Sequence, residues 1–249
     1  MKNIVCNFLI TTILVMPLIC SASGNLTIEQ IDGHWVRKKY LDSLSSTRSQ
    51  FSERPESISI SAKNNRLNWT NYHESSWRRL LRIELSENGY VLVVGEWEVD
   101  SPVQRKILYI PFKPTMDHAG KIVSIEFLDD SLVERKKEPF IRLPLPLKEY
   151  ANELLLVGQY VDQKGKLYAF SKEGIASWPN RSFSYELPLD FSEAGCDYFE
   201  TYDPKEPGHY KRYGFKWQGD RLDLFTIVYD RDYFPIACED HAFVSLVRH

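Results

Sequence analysis

Residues 156–179 read LVGQYVDQKGKLYAFSKEGIASWP, and the punctuation of this stretch decides the fold. Three short runs, Leu156 to Val161, Lys166 to Phe170 and Ile175 to Trp178, are separated by Asp-Gln-Lys-Gly and Ser-Lys-Glu-Gly. Each separator ends in a glycine, Gly165 or Gly174, which supplies the positive φ that a tight hairpin needs. The spacing predicts a three-stranded antiparallel meander. Side chains alternate across a strand, so Gly158 with Tyr160, Tyr168 with Phe170, and Ala176 with Trp178 fall on like faces. One side of the meander then carries an aromatic cluster with small residues set between. Tyr160, Phe170 and Trp178 are expected to point inward together.

The same pattern runs in both directions along the chain. Upstream, Val36 to Tyr40, Ser57 to Ala62, Arg66 to Tyr72, Trp77 to Leu85, Tyr90 to Val99, Arg105 to Phe112, Lys121 to Leu128 and Pro139 to Leu143 read as strands. Downstream, Ser182 to Leu189, Cys196 to Tyr202, Lys211 to Trp217, Arg221 to Tyr229 and Ala242 to Val247 do the same. Asn25 to Ile31 suggests a short helical turn, and the polar Ser43 to Arg54 a loop crossing an open barrel end. One break interrupts the pattern: Leu143-Pro144-Leu145-Pro146-Leu147 cannot lie in a central sheet, and Lys148 to Leu154 behind it is the best helix candidate.

The expected architecture is all-β, built of antiparallel meander barrels or sandwiches. A β domain over residues 23–143 is followed by a Pro-rich linker and short helix over 144–154 and a second β domain over 155–249. A single sandwich of roughly ten to sixteen strands is the alternative.

Residues 1–22 read as a signal peptide. Lys2 gives a positive start, Phe8 to Ile19 an apolar run, and Cys20-Ser21-Ala22 a small-residue cleavage site. The run is shorter than the roughly 20 apolar residues a membrane helix needs. A lipoprotein signal at Cys20 is the less favoured reading, because a bulky Ile19 fits it poorly. The chain is therefore expected in the periplasm or outside the cell. Cys6 and Cys20 leave with the signal, and Cys196 and Cys238 are expected to pair in an oxidising compartment.

A formal charge of −3 lacks the concentrated basic face that nucleic acid requires. Arg37-Lys38-Lys39, Trp77-Arg78-Arg79 and Arg135-Lys136-Lys137 read as solvated strand faces or ends. No Gly-x-Ser-x-Gly, phosphate-cradling loop or dinucleotide fingerprint is present. His73-Glu74 is the closest acid and base pair, but neighbours on a strand point to opposite faces. The histidines lack ligand spacing, and Glu239-Asp240-His241 reads as a solvated loop beside Cys238. Paired carboxylates near aromatic residues, at Asp197 to Glu200 and Asp230 to Tyr233, cannot be placed at a working separation from sequence. No catalytic residue, metal or cofactor is assigned.

The Gly33-His34-Trp35 opening of the first strand resembles the start of the lipocalin and wider calycin barrels. In the second half Gly158, Tyr160, Gly165, Phe170, Gly174 and Trp178 carry the same resemblance. It implies a glycine that lets the chain enter the sheet tightly, a tryptophan that plugs the closed end of the barrel, and a late arginine covering that tryptophan, for which Arg221 and Arg248 are the candidates. It also implies that the cysteine pair ties a C-terminal segment to the barrel wall. The function so implied is an exported, non-enzymatic binding protein holding a small apolar or aromatic ligand. Candidate lining or plug residues are Trp35, Trp69, Trp97, Tyr160, Phe170 and Trp178. The rival reading is an interaction protein of inhibitor or immunity type, working in the envelope through a sheet face or the loops Ser43 to Arg54 and Asp203 to His209.

Overall fold

A computed structural model describes residues 26–71, 75–95, 107–128, 138–189, 195–202, 210–231 and 235–249. The expected signal segment, His73-Glu74, Trp97, Arg135 to Lys137 and Asp203 to His209 lie outside the described residues. Eight antiparallel strands close the first barrel: β1 (Gly33–Arg37), β2 (Glu56–Ser61), β3 (Arg66–Asn71), β4 (Ser75–Ser86), β5 (Gly89–Gly95), β6 (Ile107–Met116), β7 (Ile122–Phe127) and β8 (Pro139–Leu143). Each strand pairs with the next, and β8 returns to β1, so no edge is left open.

The quoted meander forms β9 (Gly158–Asp162), β10 (Leu167–Phe170) and β11 (Ile175–Trp178). Gly165 and Gly174 have φ of 73° and 78°, as the turns require. Next come β12 (Arg181–Glu186), β13 (Asp197–Tyr202), β14 (Tyr210–Gln218) and β15 (Arg221–Tyr229). The last strands are β16 (Pro235–Cys238) and β17 (Val244–Arg248). Strand β17 joins β9 to β15, and β14 pairs with β15, which closes a second eight-stranded barrel with β16 added on its outer side. The fold is all-β and consists of two barrels with a short helix, α3 (Leu147–Leu155), between them.

Both barrels are closed by the same device. Trp35 and Tyr160 are fully buried, and each donates from its polar tip to a carbonyl four residues back: Trp35 Nε1 to Ile31 at 2.8 Å, Tyr160 Oη to Leu156 at 2.7 Å. Trp35 stands opposite Arg142 across β1 and β8, and Tyr160 stands opposite Arg248 across β9 and β17. The guanidinium groups lie over the rings, 5.1 Å from Trp35 and 5.9 Å from Tyr160. Each also donates to the carbonyl just before the glycine, Arg142 to Asp32 and Arg248 to Val157. A Cβ on Gly33 or Gly158 would meet the Arg142 or Arg248 Nε at 3.1 Å, with φ already at +136° and +157°. Only glycine leaves room for the arginine while holding that backbone. Arg248 therefore covers the second plug. Arg221 pairs with Asp223 instead, and Arg142, which no motif in the sequence marked, covers the first.

Large apolar side chains pack inside both barrels. In the first barrel Ile58, Leu67, Leu92, Ile110, Phe112, Phe127 and Phe140 meet below Trp35. In the second, Phe170, Tyr185 and Phe199 pack edge to face at 5.2–5.9 Å. Burying each such side chain stabilises the fold by roughly 1.5–3 kcal/mol.

The polar segment expected as a loop from Ser43 folds differently. Strand β1 ends at Arg37, and Lys38–Thr47 form helix α2, with Tyr40, Leu41 and Leu44 buried on one face. These three join Val36, Leu143, Leu147, Ala151 and Leu155 in the same cluster as the second barrel's core. Helices α2 and α3 thus fill the space between the outer wall of β1 and β8 and the closed base of the second barrel. The chain after α2 crosses that base, not an open barrel end. Gln50 is fully buried there and donates to the Tyr198 carbonyl at 3.0 Å.

Cys196 and Cys238 are bonded across the outside of the second barrel. The bridge passes directly over Gly214 of β14, where an added Cβ would fall 2.0 Å from Cys238 Sγ. Among the described residues no helix is long and apolar enough to cross a membrane.

Candidate functional site

Two places gather unusual chemistry, one at each end of the second barrel. The end away from the helices is reached by the turn at Pro179-Asn180, which sets Trp178 opposite Arg181. Trp178 shares its face with buried Ala176 but lies nearer the rim, where it is half-buried. Four further rings converge on it, Tyr168 and Phe183 from the neighbouring strands β10 and β12 and Tyr213 and Phe243 from far along the chain. Centroid separations are 5.8 Å to Tyr168, 5.0 Å to Phe183, 5.1 Å to Tyr213 and 6.0 Å to Phe243. Phe243 keeps 46% of its surface exposed, so the cluster reaches solvent.

Arg181 lies across this cluster. Its guanidinium is 4.7 Å from the Trp178 ring centre, 5.1 Å from Phe183 and 5.6 Å from Tyr213, and it donates to the Tyr213 hydroxyl at 2.7 Å. Such stacking is worth roughly 0.5–2 kcal/mol. The Trp178 indole N–H is buried and has no acceptor. An unsatisfied buried donor costs about 1–3 kcal/mol, so the arrangement favours anything that brings an acceptor. Desolvation raises the pKa of Tyr168 beside it, with Asp162 adding to the effect.

The opposite end forms a cleft of about 740 Å³ between the chain leaving α2 and the base of the barrel. Arg48, the left-handed residue that ends α2, stacks on Trp217 at 4.5 Å and donates to the Gly219 carbonyl. Asp197 Oδ1 accepts from Ser49 Oγ at 2.9 Å and from the Gln50 and Phe51 amides at 2.8 and 3.3 Å. Burial outweighs these bonds and pushes the Asp197 carboxyl up to about 6. Asp223 also lines the cleft, 3% exposed, with Arg221 on one oxygen and no partner on the other.

The sequence-derived candidates divide between these places and the cores. Trp35, Tyr160 and Phe170 are buried in the cores, the first two as plugs. Trp69 packs against the first core and donates to Glu56 Oε1 at 3.0 Å. Trp178 alone of the six is placed at a solvent-reaching cluster, and Trp97 lies outside the described residues. Of the companions of Trp178, Arg181 faces it across the β11–β12 hairpin, while Tyr213 and Phe243 were not identified from sequence because β14 and the approach to β17 reach β11 only on barrel closure. Glu239, Asp240 and His241 line the basal cleft. Among the described residues no three His, Cys, Asp or Glu side chains are grouped to hold a metal.

No family model, curated protein or solved structure matches the chain. The geometry alone carries the functional argument.

Proposed function

We propose that the protein is an exported, lipocalin-like binding module that holds a small apolar or aromatic ligand, and that the ligand sits at the Trp178 rim of the second barrel. The observation that carries this reading is the five-ring cluster around a buried, acceptor-free indole N–H, with Arg181 lying across the rings. A planar ligand would replace Arg181 on the ring faces and give the indole its missing acceptor. The repeated glycine, plug and arginine closure supports the lipocalin-like reading, and the apolar leader and the disulfide support export.

Titration of intrinsic tryptophan fluorescence with a panel of aromatic and lipid-like compounds tests the proposal. A saturable change that is lost in Trp178→Phe is expected. A panel without response, or a response that survives the substitution, contradicts it.

One observation favours the interaction reading. On the outer wall of the first barrel Leu81, Ile107 and Tyr109 are 37%, 45% and 55% exposed and lie side by side over β4 to β6. An envelope partner docking there would leave the Trp178 fluorescence unchanged and would be lost in Tyr109→Ser.

A further inference from the structure

The basal cleft holds a second unsatisfied group, opposite in kind to the first. Asp223 sits on β15 between Leu222 and Leu224, both of which point into the core, so its own side chain faces outward. An outward strand position should be wet, yet Asp223 is 3% exposed. Its Oδ2 accepts from Arg221 Nη2 at 2.9 Å, and Arg221 is held in turn by Gln218 Oε1 at 2.6 Å. Oδ1 is buried and has no partner. Half of a carboxylate is thus anchored and the other half offered to the cleft. A buried charge in that condition is costly unless a donor completes it.

The groups around Asp223 define the donor. Lys216, its cross-strand partner on β14, is exposed and leaves Oδ1 unpaired. Glu239 and Asp240 line the same cleft and add negative charge, and Arg48, Lys216, Arg221 and His241 line it too. Phe225 and Trp217 supply ring surface. Arg48 stacked on Trp217 demonstrates that a guanidinium is accommodated on this wall. A divalent ion does not fit, since the described acids and histidine do not group as ligands. A volume of about 740 Å³ suits a small organic molecule.

We infer that the basal cleft is a binding site for a small organic cation, a primary ammonium or guanidinium compound, whose N–H groups complete Asp223 Oδ1. The carboxylate gives a charge-assisted hydrogen bond, and Glu239 and Asp240 supply the attracting field. The site is independent of the Trp178 rim.

Isothermal titration of the purified protein with butylamine, putrescine and agmatine, with acetate as control, tests this. Saturable binding of the amines and none of acetate is expected. Asp223→Asn should weaken it at least tenfold, and Lys216→Ala, which removes a competing cation, should not weaken it. Because Asp223→Asn alters a buried pair, Glu239→Gln with Asp240→Asn on the exposed side provides a second variant, expected to weaken binding several-fold. The inference is overturned if no amine binds saturably, if Asp223→Asn binds as the native protein does, or if the double variant leaves the affinity unchanged. A crystal grown with agmatine that shows only water on Oδ1 overturns it equally.

Discussion

Gly214 shows how a single residue can be set by a contact with no signal in its own neighbourhood. The disulfide crosses β14 above it, and a methyl group there would overlap Cys238 Sγ. Gly214→Ala should therefore destabilise the oxidised protein by about 1–3 kcal/mol in urea unfolding. In a background of Cys196→Ser and Cys238→Ser the same change should cost clearly less. Equal costs in the two backgrounds would mean the bridge is not what excludes the side chain. Tyr160 makes a second test at this scale. Removing its hydroxyl in Tyr160→Phe loses the bond to the Leu156 carbonyl and should cost about 1 kcal/mol, with the ring and Arg248 still in place. A loss of several kcal/mol would imply that the hydroxyl does more than close the barrel.

Among the elements, the meander at residues 156–179 was legible because its turns and alternation are local. Inward placement of Tyr160, Phe170 and Trp178 followed from parity alone. Helix α2 was not legible: Lys38–Thr47 is rich in serine, and its helix rests on burying Tyr40, Leu41 and Leu44 against a barrel more than one hundred residues later. Tertiary burial overrides weak propensity in such a case. The rim site was legible only at Trp178: Arg181 faces it across one hairpin, but Tyr213 and Phe243 are its neighbours through closure and not through spacing. The segment after α2 carries its own prediction. Burial raises the Asp197 carboxyl to about 6 from 3.8, so the folded state favours its protonated form. The stability this group contributes is fully present below pH 3.8 and is lost as pH rises through about 6. By linkage the change amounts to about 2–3 kcal/mol. The difference in stability between the native protein and Asp197→Asn, measured by urea unfolding from pH 4 to 7, should shift against the native protein as pH rises. A difference that stays flat would contradict the assignment.

At the scale of the whole molecule, the two barrels repeat one plan but do not stand apart. A leading helix, α1 (Ile28–Ile31) or α3, feeds a glycine, a buried aromatic plug and a meander, and the last strand returns an arginine to cover the plug. Helices α2 and α3 then merge the base of the second barrel with the outer wall of the first into one apolar cluster. Leu44→Ala should cost about 2–5 kcal/mol, and calorimetry should show both barrels melting together at a lower temperature. Two separate transitions, with only one displaced, would show the barrels to be independent. The disulfide links positions 42 residues apart and by loop entropy should add up to about 4 kcal/mol to the second barrel.

In the proposed function a ligand binds at the rim, through the buried indole of Trp178, while the plugs stay closed. Six tryptophans give at most six indole N–H resonances, and Trp178→Phe identifies the one that matters. Titrating an aromatic ligand found by fluorescence and following these resonances by nitrogen-15 NMR reads the site directly. The Trp178 resonance should move downfield to saturation as it gains an acceptor, and Trp35, already bonded to the Ile31 carbonyl, should stay in place. A Trp178 resonance that remains fixed while the ligand saturates, or a Trp35 resonance that moves with it, would rule out binding at the rim.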